Sequence, residues 1–252
     1  MDTHEKEIYN AILIAVGALT AIGIYFFVAL LRQQKRFRSL SQAKIKAEIT
    51  TLENERSRIA ADLHDEVGPL LSAIKLQINN IDGSDAAESA LIKKTSLHID
   101  DVIKKMREIS NDLLPNVLIR RGLVPAVADF ITKIGPATPT KITLEHNSPA
   151  RFLATVEVNA YRIVQEVVHN AIKHAQAKTL RIHIKMEPHR LQITTQDDGV
   201  GFDHNRIGDT KSGLGLLNLQ SRTDVMNGEF DFESFPGKGT KYAFDIPLNT
   251  ST

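Results

Sequence analysis

The chain has 252 residues, 42% of them hydrophobic, which is enough for a membrane segment, a helical hairpin and one domain of ordinary size. Its 31 basic and 30 acidic residues leave a formal charge of +1, so there is no global basic field and direct nucleic-acid binding is not expected. Cysteine is absent, which excludes disulfides, thiolate catalysis and cysteine metal sites.

The first element in chain order is Ala11 to Leu31, AILIAVGALTAIGIYFFVALL, an uncharged run long enough as a helix to cross roughly 30 Å of hydrocarbon. A secretory leader would have a shorter apolar region, a basic start and a small-residue cleavage site. Here the start, MDTHEKEIYN, is on balance acidic, and the far flank carries Arg32, Lys35, Arg36 and Arg38. The positive-inside rule then puts the amino terminus outside and everything after Arg32 in the cytoplasm. The expectation is a single-pass transmembrane helix over 11–31 with a tail of residues 1–10, too short to fold as a sensor. Any stimulus would be read within the membrane or through a separate membrane sensor protein.

From Arg32 to about Ile81 the pattern predicts one long helix, with 32–55 as a cytoplasmic linker. Ile45, Ile49, Leu52, Ile59, Leu63, Val67, Leu70, Ile74 and Ile81 recur at spacings of mostly three and four, a coiled-coil or bundle seam. His64 sits one step off that seam, beside Asp65. A neutral imidazole is a good nucleophile near neutral pH, and an adjacent carboxylate can accept its other ring proton and fix the tautomer. Alone, such a pair serves equally as a helix cap or a surface ion pair.

Asp82 to Ser84 breaks the periodicity, and a second helix follows from about Ala86 to Leu114, stopped by Pro115. Two amphipathic helices bury their stripes poorly by themselves, whereas two such hairpins make a four-helix bundle, so a homodimer is expected. Beyond about Arg120, helical patterns at Leu123 to Ile134, Thr155 to Gln176 and Leu216 to Met226 alternate with strand patterns at Lys141 to His146, Leu180 to Met186, Leu191 to Thr195, Glu229 to Ser234 and Tyr242 to Ile246. The fold class is thus α followed by α/β, the second part a sandwich of helices on one face of a mixed sheet.

On the helix from Thr155, the polar residues Glu166, Asn170 and Lys173 border an apolar stripe at spacings of four and three, as the edge of a ligand cleft requires. An Asn oxygen is a hard neutral ligand suited to Mg²⁺. Asp197 opens DDGVG directly after a strand; a carboxylate only accepts hydrogen bonds, which fits the exocyclic amino group of adenine. Gly199 and Gly201 let backbone approach a base closely. Phe202 to Ser212 has the composition of a lid, and Gly213, Leu214 and Gly215 lead into a helix whose first amides favour phosphate. Gly239 and Thr240, in PGKGT, form a turn between strands, with ligand contact and a plain hairpin both open.

Taken in order, ERSRIAADLHDEVGPLL, EVVHNAIKHA, DDGVG, GLGL and PGKGT closely resemble a bacterial sensor histidine kinase of two-component systems. The subfamily has its own type of dimerisation and phosphoacceptor domain (here 56–118), followed by an ATP-binding domain of the GHKL type with the Bergerat fold (here 119–249). The resemblance implies His64 as phosphoacceptor, Asp65 as base or orienter, ATP and Mg²⁺ as cofactors, and Asn170 as metal ligand. Glu166 and Lys173 resemble the accompanying residues of the asparagine box, an exposed ion-pair role remaining open for each. It further implies a response-regulator receiver domain, typically with a helix-turn-helix output, as partner, and the bacterial cytoplasmic membrane as location. Other readings are a catalytically silent membrane-tethered ATP-binding scaffold and a GHKL ATPase of the chaperone or topoisomerase type. One position departs from the subfamily: the glutamine often found five residues after the phosphoacceptor is Pro69 here. Phosphatase activity toward the partner is thereby in doubt, and a kink one turn past His64 is expected.

Overall fold

The structure is a computed structural model that describes residues 3–82, 84–147, 151–203 and 212–248, the side chains of 1–16, 18, 38, 42 and 212–214 excepted. Residues 1–47 and 48–252 form two separate compact units. Helix α1 (Thr3–Asp62) accounts for the first unit and continues into the second. The segment 11–31 is helical, as expected. Among the described residues, however, no helix is long and apolar enough to cross a membrane, and the side chains of 11–16, the first part of the expected span, lie outside them.

In the second unit the long helix does not run unbroken to Ile81. It widens into a π turn at Leu63–Val67, resumes as α2 (Gly68–Asn79) and ends there. Proline supplies the cause: Pro69 has no N–H to donate, and its ring crowds the carbonyl four residues earlier, that of Asp65. The Gly68 N–H instead reaches back five residues to the Leu63 carbonyl, so the register shifts before the proline is reached. The expected kink after His64 is therefore a wide turn that contains His64.

Helix α3 (Ala86–Leu113) starts on a side-chain cap, with Asp85 accepting from the Glu88 N–H at 2.8 Å and the Ser84 N–H donating to the Glu88 carboxylate at 2.8 Å. It pairs with α2 through Lys75 and Asp100 at 2.6 Å and with α1 through a buried bond from Ser110 Oγ to the Ala60 carbonyl at 3.1 Å. Most of the seam, including Leu52, Leu70, Ile74 and Ile81, is exposed in the single chain, whereas Ile49 is buried. After Pro115, a short helix α4 (Asn116–Arg121), which the sequence pattern does not separate, leads to Gly122, whose φ of 84° lets α5 (Leu123–Ile134) start in a new direction.

Among the described residues five strands follow: β1 (Lys141–His146), β2 (Thr179–Glu187), β3 (Arg190–Asp197), β4 (Glu229–Ser234) and β5 (Thr240–Pro247). Their order is β1-β2-β3-β5-β4, with β1 parallel to β2 and the other pairs antiparallel, the mixed sheet expected. Side chains alternate strictly along β2, β3 and β5, so Leu180, Ile182, Leu191, Ile193, Phe244 and Ile246 all turn to one face. Against that face pack α5, α6 (Ala154–Lys173) and α7 (Ser212–Val225), contributing Leu123, Val127, Ile163, Val164, Val167 and Leu219 to one core. All are essentially inaccessible to water.

Phe244 is 1% exposed and stacks on Phe230 with ring centroids 5.0 Å apart. Phe244→Ala should cost about 3–5 kcal/mol, read as a lowered midpoint in chemical denaturation.

Candidate functional site

A cleft of about 580 Å³ opens between the last turns of α6, the end of β3, the start of α7 and β5. Glu166 and Asn170 reach it from α6, one turn apart on one face. Asp197 and Gly201 line it from the end of β3 and the loop beyond, Gly215 from α7, and Thr240 from β5. Three sequence-predicted residues stand outside the lining: Lys173 is exposed at the end of α6, Gly199 is buried behind the cleft wall, and Gly239 sits under it. Gly213 belongs to the backbone of α7. The side chain of Leu214 and residues 204–211 of the expected lid lie outside the described residues.

Two adjacent aspartates divide their work by strand phase. Asp197 points inward: its Oδ1 accepts from the Gly199 N–H at 2.9 Å and the Thr240 N–H at 3.3 Å, while Oδ2 has no protein partner among the described residues. Burial pushes its carboxyl above the ordinary value, the two N–H groups pull it back, and the charge of Asp198 adds to the rise. Asp198 points the other way. It ties down the start of β2 by accepting from the Lys178 and Thr179 N–H groups at 2.8 Å each and from Thr179 Oγ1 at 2.9 Å, and the Thr179 N–H is the main cause of its lowered value. One is held toward the cleft; the other is a structural staple.

The glycines act chiefly through backbone packing. Gly201 and Gly239 have φ of 59° and 75°. A Cβ at Gly201 would overlap the Phe235 carbonyl, and one at Gly239 the Asp197 carbonyl. Ser234 Oγ joins the same stack, accepting from the Phe202 N–H at 2.9 Å and lying 2.9 Å from Thr240 Oγ1. The final glycine box thus braces the DDGVG loop and delivers one N–H to Asp197. Gly215 works differently. A Cβ there would stand 3.1 Å from Glu166 Oε1 and 3.6 Å from Asn170 Nδ2, so its bareness lets α7 close on the polar edge of α6.

Phe202, the first residue of the expected lid, lines the cleft, and sequence reasoning missed Tyr242, His174 and Asn218, which also line it. Two had a readable signal. Tyr242 is two residues past Thr240 on the inward phase of β5, and Asn218 is three past Gly215 on α7. Burial raises the Tyr242 phenol well above its ordinary value, and the nearby Asp197 and Glu166 charges raise it further, so it stays a neutral donor.

His64 is elsewhere. It is exposed on the π turn, contributes nothing to the cleft, and makes no side-chain hydrogen bond with the equally exposed Asp65 among the described residues. An exposed imidazole with a carboxylate one residue on can meet a phosphate donor brought to it, and the cleft can hold an adenine-sized base against a fixed carboxylate with polar groups beyond.

Residues 55–118 match the family described as histidine kinase, and residues 155–250 match the histidine kinase-, DNA gyrase B- and HSP90-like ATPases. The chain is 30% identical to the sensor histidine kinase YdfH of Bacillus subtilis (strain 168), over 97% of this chain and 63% of that protein. It is 31% identical to the sensor histidine kinase ComP of the same organism, over 78% of this chain and 27% of that protein. The oxygen sensor histidine kinase NreB of Staphylococcus carnosus (strain TM300) is 30% identical over 85% of this chain and 62% of its own length. The chain therefore spans between 27% and 63% of these relatives.

Gly215→Val would push a branched side chain against Glu166 and Asn170 while leaving the core untouched. Nucleotide affinity should fall about tenfold or more, measured by titration with a fluorescent ATP analogue, with an unchanged circular dichroism spectrum.

Proposed function

This chain belongs to the sensor histidine kinases of two-component systems, and from that membership we propose that it phosphorylates His64 with ATP and passes the phosphoryl group to an aspartate in a response-regulator receiver domain. The observation that carries the proposal is the union, in one chain, of an exposed His64–Asp65 pair with a cleft whose buried Asp197 keeps Oδ2 open to a ligand.

Asp197 would accept from the adenine amino group, its orientation set by the Gly199 and Thr240 N–H groups. Gly199, Gly201, Gly239 and Thr240 would keep that wall close to the base, and Gly213, Leu214 and Gly215, which fall within the first turn of α7 rather than before it, would offer the phosphates its first amides. Glu166 and Asn170 offer oxygen donors side by side in the cleft, a set that fits Mg²⁺, with Asn170 as its ligand. Mg²⁺ would neutralise phosphate charge there. Lys173, exposed at the helix end, would act on phosphate only after rearrangement. In the transfer a ring nitrogen of His64 attacks the γ-phosphorus as the bond to the β-phosphate oxygen breaks and ADP leaves. The other ring nitrogen gives its proton to Asp65. The resulting N–P bond is high in energy, so transfer to an aspartate runs downhill.

The same reading assigns 56–118 to dimerisation and phosphotransfer and 119–249 to ATP binding. The exposed seam supports a homodimer whose two hairpins form a four-helix bundle. The uncharged run 11–31 and its basic flank support a single-pass anchor in the bacterial cytoplasmic membrane with the amino terminus outside. The stimulus would then come through the membrane or a separate membrane sensor, and the output through the regulator's helix-turn-helix domain rather than this chain.

Incubation with γ-labelled ATP should give an acid-labile phosphoprotein. His64→Gln should abolish it with nucleotide affinity kept, and Asp197→Asn should lower that affinity while weakening the preference for adenine over guanine. Release of inorganic phosphate without a phosphoprotein would instead favour an ATPase of another GHKL type.

Pro69 stands where a water-orienting glutamine is common in the subfamily. The wild type should phosphorylate its regulator but dephosphorylate it slowly, and Pro69→Gln should speed dephosphorylation by restoring both an amide side chain and a helical N–H. Equal rates of phosphate loss from the purified regulator with the two forms would remove any functional role for the proline.

A further inference from the structure

Glu53 lies on α1, eleven residues before His64, yet it is 8% exposed. Its carboxylate is shared by Arg162 of α6 at 3.2 Å, Arg222 of α7 at 2.9 Å and its own neighbour Arg56 at 3.3 Å. Arg162 is itself 8% exposed and also donates to the Leu113 carbonyl at the end of α3 and to Gln165 Oε1 at 2.8 Å. Arg222 donates further to Asn159 Oδ1 at 3.2 Å. Among these contacts Glu53 alone joins the phosphoacceptor helix to both helices that border the nucleotide cleft.

The charge count makes this contact conditional. One carboxylate faces three guanidinium groups, and the arginines oppose one another: burial lowers the Arg222 value most, Glu53 offsets it, and the charges of Arg162 and Arg56 lower it further. Asp112, Asp129 and Glu166 line the same groove, but among the described residues Glu53 is the one carboxylate within ion-pair distance of the three arginines, so without it their mutual repulsion is left poorly compensated in a partly dry environment. The ionic attachment of α6 and α7 to this level of α1 therefore runs through Glu53.

That level is wrong for transfer. Eleven residues are about three helical turns, or roughly 16 Å along the axis, so Glu53 is on the face of α1 that leads to His64 but well upstream. The cleft takes no lining from α1, and the adjoining groove that shares Glu166 and Asn218 with it takes only Ile49, Leu52 and Arg56. All three precede His64 by at least eight residues.

We infer that Glu53 is a positioning residue that docks the ATP-binding domain upstream of His64 through Arg162 and Arg222, and that phosphoryl transfer requires this ion cluster to open. The inference rests on the proposed kinase reading.

The test uses the full chain. Glu53→Gln should raise the autophosphorylation rate at saturating ATP about fivefold or more, with the KM for ATP unchanged. A merely structural role would lower the rate or raise KM. Because the chain has no cysteine, Glu53→Cys combined with Arg222→Cys gives a second, independent measurement. A reductant-cleavable bismaleimide, long enough to span the space left by the two side chains, should link the thiols and silence His64 labelling, and reductant should restore it. An unchanged or reduced rate in Glu53→Gln, failure of the cross-link to form, or full labelling of the cross-linked chain each overturns the inference. A wild type that never forms phosphohistidine overturns the kinase reading instead, while the cross-link still reports the contact.

Discussion

Helix α6 must satisfy three different environments at once, and the ATP-binding half of the molecule is arranged around that demand. Its Ile163, Val164 and Val167 are sealed against the sheet, which supplies the main hydrophobic stabilisation of the domain. Its Glu166 and Asn170 must stay at the edge of that burial to reach the cleft. Its Arg162 is buried on a third side and takes an anion, Glu53, and a carbonyl, that of Leu113, from the helical hairpin. A helix pinned by its apolar face cannot rotate to relieve any one of these, so the positions of the cleft and of the ionic contact follow together from the packing of a single element.

The cleft itself is built mainly from close backbone approaches. Gly239 against Asp197 and Gly201 against Phe235 bring separate chain segments nearer than any side chain would allow, and Gly215 against Glu166 leaves little room for one. This explains why glycine boxes far apart in the chain act as one unit. The last box does little of the lining, yet its Thr240 N–H holds the acid that the first box presents. Precision at the cleft thus costs conformational freedom at a few φ > 0 positions.

On the hairpin, Pro69 and Glu53 act on the same helix from either side of His64. The proline forces the wide turn in which His64 sits, and π turns of this kind often mark functional positions in helices. The glutamate holds α6 and α7, the two helices that border the cleft, three turns upstream. The exposed imidazole and the cleft are therefore set apart by local structure at one end and by a charge contact at the other.

Much of this was legible in the chain. The alternation in RIHI and its companions located all five strands, the breaks at Asp82 to Ser84 and Pro115 bounded the hairpin, and the spacing of four between Glu166 and Asn170 put both on one cleft edge. These are local properties, dictated by the pleat of a strand and the pitch of a helix. What the sequence could not carry is anything that depends on which distant segments meet. Nothing near Arg162 or Arg222 marks them as partners of Glu53, because 109 residues separate Arg162 from Glu53 and only the docking of helices brings their charges together. Lys173 shares the spacing of Glu166 and Asn170 but falls past the point where α6 leaves the sheet, so it ends in solvent. Helical period and strand phase determined the elements and the candidate residues; burial and charge neutralisation, which exist only once the chain has folded, decided which of those residues share a site.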